Sequence, residues 1–132
     1  MIGLDTNVLV RFLMEDDPIQ SAQARRIIER KLTEHNQGFV SLATIFETAW
    51  VLESVYKRSS QQIAEAIRRI LQVETFIIQN EQEVYTAMVA LQTGQGTFDD
   101  ALIAALGQWA GCTSTLTFDK KASRLQGFEL IS

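Results

Sequence analysis

Apolar and polar residues alternate along the chain in blocks that predict strands followed by helices. Residues 1–4 form an apolar run that is too short for an amphipathic helix, and Asp5 ends it. Apolar residues then return at helical spacing, at Val8, Leu9, Phe12 and Leu13. Ligands of open α/β sheets bind outside the carboxyl ends of strands, which favours a functional role for Asp5. An equally weighted interpretation is that Asp5 only caps the helix.

The same alternation continues to the end of the chain. Further strands are expected over 39–42, 75–79, 113–118 and 128–131, and helices over 19–34, 43–56, 61–72, 81–92, 100–110 and 120–124. Strands that alternate with helices form a mainly parallel sheet covered on both faces. No linker or repeat interrupts the pattern, so residues 1–132 are predicted to form a single α/β domain.

Composition narrows the class of protein. The chain is 46% hydrophobic, which suits one domain with a real core. No apolar run approaches the roughly 18 residues needed to cross a bilayer, and no signal peptide is recognised, so no membrane partner and a cytoplasmic location are expected. Cys112 is the only cysteine, which excludes an intrachain disulfide and a cysteine-based metal site. It is expected to be a small core residue.

Charge and the remaining motifs exclude several functions. A net charge of −4 argues against nucleic-acid binding through a basic patch alone, although an acidic enzyme site can meet phosphates through bound cations. His35 is the only histidine and lies in a polar helix end, so a histidine-assisted nucleophile is not indicated. The Gly94-Gln95-Gly96 segment lacks the lysine and hydroxyl residue of a phosphate-binding loop.

Carboxylates in unusual positions are the remaining candidates. Glu47 is the only ionisable residue in the apolar stretch 39–52, whose helix is expected to be largely interior. A buried carboxylate needs a partner, which a metal ion, an arginine or the rim of a site would supply. A functional role is favoured for Glu47, with a structural ion pair as the alternative.

Three more aspartates stand where a strand ends or a helix begins. Asp119 follows the β-rich run TSTLTF, so Asp5 and Asp119 are expected at one edge of a parallel sheet. Asp99 and Asp100 open a helix, where the alternative role is capping and complementing the helix dipole. Carboxylates that converge without histidine or cysteine repel one another unless cations are present, and all-oxygen ligand sets select Mg²⁺ or Mn²⁺.

Helix geometry distinguishes the expected roles of Asp99 and Asp100. Residues on the face of Asp100 are small, namely Ala104, Gly107 and Gly111, so this face can approach the sheet. A bulky stripe beside it is expected to fill the core, namely Leu102, Ile103, Leu106 and Trp109. Asp99 is therefore expected at or before the N-cap, and Asp100 is expected to be the ligand.

Four segments in order, MIGLDTNVLVRFL, SLATIFETAWVLE, FDDALIAAL and TLTFDKKA, resemble PIN-domain proteins, and in particular VapC-type toxin ribonucleases of toxin–antitoxin pairs. The resemblance implies a three-layer α/β/α sandwich, Mg²⁺- or Mn²⁺-dependent RNA cleavage, a homodimer and a small antitoxin protein as partner. It assigns the catalytic site to Asp5, Glu47, Asp100 and Asp119. Asp5 and Asp100 would bind the principal metal, while Glu47 and Asp119 complete the cage and orient the attacking water.

Other residues and other functions remain open beside this hypothesis. The family's polar residue next to the first aspartate corresponds to Thr6 or Asn7. Basic residues directly after Asp119 would hold RNA phosphates or are ordinary surface charges, namely Lys120, Lys121 and Arg124. One alternative is a Mg²⁺-dependent phospho-accepting receiver or phosphatase-like domain, which would need a second acidic residue where Thr6 and Asn7 stand. The other is a catalytically silent interaction module, which leaves Glu47 unexplained.

Overall fold

The computed structural model describes residues 1–132 as alternating strands and helices. The strands are β1 (Ile2–Gly3), β2 (Gly38–Val40), β3 (Phe76–Ile78), β4 (Thr115–Thr117) and β5 (Phe128–Leu130). The helices are α1 (Thr6–Met14), α2 (Pro18–Arg26), α3 (Leu42–Ser54), α4 (Ser60–Leu71), α5 (Glu81–Gln92) and α6 (Phe98–Trp109). A π-helical turn, Ile27–Lys31, continues α2, and a 3₁₀ turn, Ala122–Arg124, precedes β5. Each element expected from the sequence is therefore present, with shifted ends.

All five strands pair in parallel, which confirms the α/β fold class. The strands form two sheets rather than one. The larger has the order β1-β2-β3, and β4 pairs only with β5 in a separate two-stranded sheet. No backbone hydrogen bonds join β4 to β1, so the expectation that the carboxyl ends of these two strands lie at a common edge stays a prediction.

The core lies around the β1-β2-β3 sheet and the helices that cover it. Its largest fully buried side chains come from five elements and include Leu9, Val40, Ile45, Ile67 and Val84. Local signals fix several helix starts. Ser59 and Gln62 form a capping box at the start of α4, and Asp17 caps α2 by accepting from the Gln20 amide.

Two expected buried surfaces are exposed instead. Helix α3 buries only one face, and Phe46 and Trp50 on its other side are 44% and 58% exposed. In α6, Ile103 and Trp109 are 48% and 65% exposed, so only part of the expected bulky stripe enters the core. The apolar character of these helices predicted that they are largely buried, whereas these four side chains are only partly covered by the rest of the chain.

The sequence neighbours of Cys112 and His35 predicted how far each of these two residues is exposed. Cys112 is exposed, so the prediction of a small core residue is wrong. It follows the end of α6, where the chain turns at the surface before β4. His35 is exposed, as expected. No helix has both the length and the apolar character needed to cross a membrane.

Residues 115–130 form a C-terminal unit that packs on α6. A Cβ atom built on Gly107 would lie 2.8 Å from Oγ1 of Thr115, so only glycine permits this approach of helix and strand. At the other end of the helix, a Cβ atom on Gly96 would lie 2.8 Å from Cδ1 of Leu125. The small-residue face of α6 thus contacts the unit that carries β4, as its composition predicted.

Candidate functional site

Asp5 lies directly beyond β1 and begins α1. Its backbone is extended, with φ −84° and ψ 162°, and its Oδ1 accepts a hydrogen bond of 2.8 Å from the Thr6 amide. The capping interpretation is therefore confirmed. The side chain is exposed, and its second oxygen, Oδ2, has no hydrogen-bond partner within the protein. Capping thus leaves Oδ2 available to a ligand.

Thr6, the first residue of α1, makes a hydrogen bond that joins the chain segment after β1 to α3. Its side chain is only 4% exposed, and its hydroxyl donates a hydrogen bond to Oε1 of Glu47. Glu47 itself is exposed, so the expectation that its carboxylate is buried is wrong, and no arginine pairs with it. The partner that the structure provides is a neutral hydroxyl. Thr6 thus holds the Glu47 carboxylate next to the chain segment that carries Asp5.

The start of α6 separates Asp99 from Asp100. Thr97 is the N-cap, and its hydroxyl oxygen accepts from the Asp100 amide at 3.3 Å. Both aspartates are therefore helical, and the prediction that Asp99 stands at or before the cap is wrong. Asp100 is half-buried and Asp99 is exposed. Two negative charges in the first turn complement the helix dipole.

Asp99 lines a groove rather than the end of the sheet. A cavity of about 330 Å³ lies between α3, α4 and the start of α6. Phe46 and Trp50 line it together with Asp99. Asp100 is not among its lining residues, which agrees with the roughly 100° that separates successive helix positions.

Asp119 lies at the carboxyl end of β4, in the C-terminal unit. Its Oδ1 accepts from the Lys121 amide at 2.8 Å, and its own amide donates to Oγ1 of Thr117 at 3.0 Å. The side chain is exposed. No backbone hydrogen bonds join β4 to β1, so the expectation that Asp5 and Asp119 lie at one sheet edge stays a prediction.

The four carboxylates are only partly assembled. No three histidine, cysteine, aspartate or glutamate side chains come together in an arrangement that would hold a metal ion. None of Asp5, Glu47, Asp100 and Asp119 takes part in any of the four salt bridges of the chain. Oxygen donors without a cationic partner fit a hard divalent ion by their chemistry. Thr6 brings two of these donor residues, Asp5 and Glu47, into one neighbourhood.

The comparison with family models agrees with this architecture. The model of the PIN domain matches residues 2–127, which is nearly the whole chain. The chain belongs to the PIN domain family. PIN domains are generally nucleases and typically depend on divalent metals, so membership supports a nuclease function for this chain. A comparison with curated proteins found no match.

Thr6 and Asn7, the two residues that could correspond to the family's polar residue, have different surroundings. Thr6 is buried and bonded to Glu47, whereas Asn7 is exposed and makes no side-chain hydrogen bond.

Proposed function

We propose that this PIN domain is a Mg²⁺- or Mn²⁺-dependent endoribonuclease, and that it acts as the VapC-type toxin of a toxin–antitoxin pair. The family match over residues 2–127 supports the nuclease class. The observation that carries the proposal within the chain is the Asp5–Thr6–Glu47 arrangement, because it gathers two carboxylates at the carboxyl end of a parallel strand.

The four carboxylates have different proposed roles. Asp5 and Asp100 would bind the principal metal directly. Glu47 and Asp119 would complete the cage and orient the attacking water. When bound, the divalent ion would activate water and neutralise charge on the phosphodiester.

The chain's own groups set the ligand geometry. The Asp5 carboxylate accepts from the Thr6 amide through Oδ1, which restrains its rotation and leaves Oδ2 without a hydrogen-bond partner in the chain. The Thr6 hydroxyl restrains Glu47 in the same way and leaves Oε2 of that carboxylate free of hydrogen bonds. Restraint of this kind reduces the ordering required when a ligand binds.

The proposal is tested with purified protein and labelled RNA. Cleavage is expected with added Mg²⁺ or Mn²⁺, and EDTA is expected to stop it. Asp5→Asn and Glu47→Gln are expected to be folded and inactive. Full cleavage in EDTA after metal removal, or full cleavage by both variants, would contradict the mechanism. A parallel incubation with acetyl phosphate and Mg²⁺ tests the receiver alternative, which requires labelling of the protein.

The antitoxin partner is part of the same proposal and rests on the sequence resemblance. The expected partner is a small protein with a DNA-binding N-terminus and an apolar tail, encoded in the neighbouring reading frame. Phe46 and Trp50 offer exposed apolar surface beside the groove between α3 and α4, which suits such a tail. Co-purification of the two proteins with loss of cleavage would support this assignment. Unchanged cleavage in a stable complex would contradict it.

A further inference from the structure

The start of α3 is held by a side chain from another element. The amide of Leu42, the first residue of α3, donates a hydrogen bond of 2.9 Å to Oε1 of Gln79, which lies 37 positions further along the chain. Every other backbone amide that donates to a side chain has its acceptor within three positions. This kind of cap is therefore particular to α3, the helix that carries Glu47.

Helix α3 has a local cap as well, so capping alone does not account for Gln79. Oγ of Ser41 accepts from the Thr44 amide at 3.1 Å, and the Ser41 carbonyl accepts from the Ile45 amide at 3.0 Å. These bonds satisfy two of the amides at the start of the helix from within the same segment. The bond to Gln79 adds a connection between α3 and the β1-β2-β3 sheet.

Gln79 holds both sides of the turn from β2 to α3. Its amide donates to the carbonyl of Val40, the last residue of β2, at 3.0 Å, while its side chain accepts from Leu42. Only Ser41 lies between these two partners. Asn80, which follows, has φ 51° and ψ 48°, a left-handed conformation that asparagine adopts more readily than most residues. The two bonds of Gln79 therefore fix how α3 leaves the sheet.

Glu47 lies close enough to this turn to depend on it. It stands five positions after Leu42, or about 7.5 Å along the helix axis. Helix ends fray, so loss of the Gln79 bond would loosen the first turn, which directly precedes Glu47. Thr6 restrains the end of the Glu47 side chain through its hydroxyl, whereas Gln79 restrains the backbone from which that side chain extends.

Strand register places Gln79 at the same edge of the sheet as Asp5. When the registers are continued beyond the strand ends, Asp5, Ser41 and Gln79 form one row across β1, β2 and β3. Neighbouring strands lie about 4.8 Å apart, so Gln79 is about 10 Å from Asp5. A Mg²⁺ ion binds its oxygen ligands at about 2.1 Å, so an ion held by Asp5 is beyond the reach of Gln79. Any effect of Gln79 on such an ion must pass through α3.

We infer that Gln79 is a positioning residue of the proposed site, and that its hold on the turn from β2 to α3 fixes where α3 presents Glu47 beside Asp5. The inference rests on the proposed function, because it gives Gln79 an effect on metal binding and cleavage in addition to helix stability. Gln79 itself contacts neither the metal nor the reacting phosphate.

Three variants separate positioning from helix capping. Gln79→Met keeps the length of the side chain and removes the acceptor. Gln79→Glu keeps an acceptor oxygen, and its added charge lies about 10 Å from Asp5, where about 0.15 M salt screens most of its effect. The matched control is Gln62→Met, because Oε1 of Gln62 also accepts from a backbone amide at 2.9 Å, that of Ser59 at the start of α4. Helix α4 carries none of the four proposed carboxylates.

The measurements are Mn²⁺ binding by calorimetry, which needs no RNA, together with the cleavage rate and urea unfolding. Gln79→Met should weaken Mn²⁺ binding about 3- to 10-fold, less than the 10- to 100-fold typical of a direct orienting partner. It should also lower kcat and leave the KM for RNA nearly unchanged. Gln79→Glu should behave like the wild type. Gln62→Met should lower the urea midpoint but leave Mn²⁺ affinity and kcat unchanged.

A Glu47→Ala background tests whether Gln79 acts through Glu47. In that background Gln79→Met should no longer weaken Mn²⁺ binding, because the carboxylate that it positions is absent. An equal loss in both backgrounds would overturn the inference. Wild-type Mn²⁺ affinity in Gln79→Met, or the same loss of affinity in Gln79→Glu or Gln62→Met, would overturn it as well.

The same data distinguish failure of the inference from failure of the proposed function. If the wild-type protein binds Mn²⁺ and cleaves RNA while Gln79→Met does both equally well, only the inference fails. If the wild-type protein binds Mn²⁺ without cleaving RNA, the proposed function fails and the binding data alone decide the role of Gln79. If it binds no Mn²⁺, both fail together.

Discussion

Thr6 is the residue that connects two carboxylates of the proposed site. Its amide bonds to Asp5, and its buried hydroxyl bonds to Glu47. Both bonds reach a carboxylate, which makes them stronger than neutral ones. In the proposed mechanism Thr6 contacts neither the substrate nor the metal. It would nevertheless orient Asp5 and Glu47, which do make such contacts.

Thr6→Val should lower cleavage about 10- to 100-fold, the range typical when a ligand loses its orienting partner. Valine has nearly the shape of threonine but cannot donate to Glu47. Thr6→Ser keeps the hydroxyl and should retain most activity, which separates loss of the bond from loss of packing. The checks are the cleavage rate at saturating RNA and the Mg²⁺ concentration for half-maximal rate. Equal activity in the valine and serine variants would contradict the role.

Asp99 and Asp100, at the start of α6, provide a second test of the roles assigned to single residues. Asp100→Asn should remove most cleavage, while Asp99→Asn should keep it and lose about 0.3–1 kcal/mol of helix-dipole interaction. Thr97→Ala should cost about 1 kcal/mol, because Thr97 provides the cap. Cleavage assays and urea unfolding measure both effects. An inactive Asp99→Asn protein beside an active Asp100→Asn protein would reverse the assignment.

At the scale of elements, a polar cluster joins the connection after α1 to the end of α3. The Tyr56 hydroxyl donates to Asp16 at 2.8 Å, and Arg11 approaches both groups at 3.2 Å. The hydrogen bond from Tyr56 lowers the pKa of Asp16 from its ordinary value of 3.8. Burial, and then the bond to Asp16, raise the pKa of Tyr56 above its ordinary value of 10.0.

These two directions predict how Tyr56→Phe depends on pH. A lowered acid pKa contributes stability above 3.8 that is lost as pH falls through the lowered value, and a raised tyrosine pKa contributes stability below 10.0 that is lost as pH rises. The substitution should therefore lower the urea midpoint near neutral pH, with a smaller difference at pH 3 and below. A pH-independent difference would show that the variant loses packing rather than the bond to Asp16.

Local elements were predictable from the sequence, whereas contacts between distant segments were not. The α5 span and the Ser59 cap of α4 follow from apolar periodicity and capping chemistry, which are local. The exposure of Phe46 and Trp50 does not, because an apolar helix face does not reveal whether another element covers it. The packing of the C-terminal unit on α6 is likewise a contact between distant segments, which periodicity does not encode.

The same distinction applies to the candidate site. A strand-end position for Asp5 and a first-turn position for Asp100 follow from the sequence, because each depends on adjacent residues. The Thr6–Glu47 bond spans 41 positions and required the packing of α1 on α3. The location of Asp119 relative to Asp5 depends on strand order, which no single segment specifies.

At the scale of the whole molecule, the charge distribution predicts a salt effect. The net charge is −4, yet the C-terminal unit carries exposed basic residues outside every salt bridge, namely Lys120, Lys121 and Arg124. They lie within five positions of Asp119, and in the proposed mechanism they would contact the phosphates of RNA bound beside that aspartate. The acidic remainder of the protein would repel RNA, so these contacts should dominate its attraction.

Changing the three residues to glutamine should raise KM and reduce the salt dependence of binding. Each phosphate contact with single-stranded nucleic acid contributes about −0.7 to the slope of log affinity against log salt, so the slope should shrink by about 2. The rate at saturating RNA should change less.

The matched control removes three other exposed charges, Arg26, Arg30 and Lys31, which lie at the end of α2 and in the π-helical turn. Because those residues are remote in sequence from every proposed ligand, their removal alters net charge by the same amount without removing a proposed contact. Equal slopes for the two triple variants would show that net charge, rather than the C-terminal cluster, governs RNA binding.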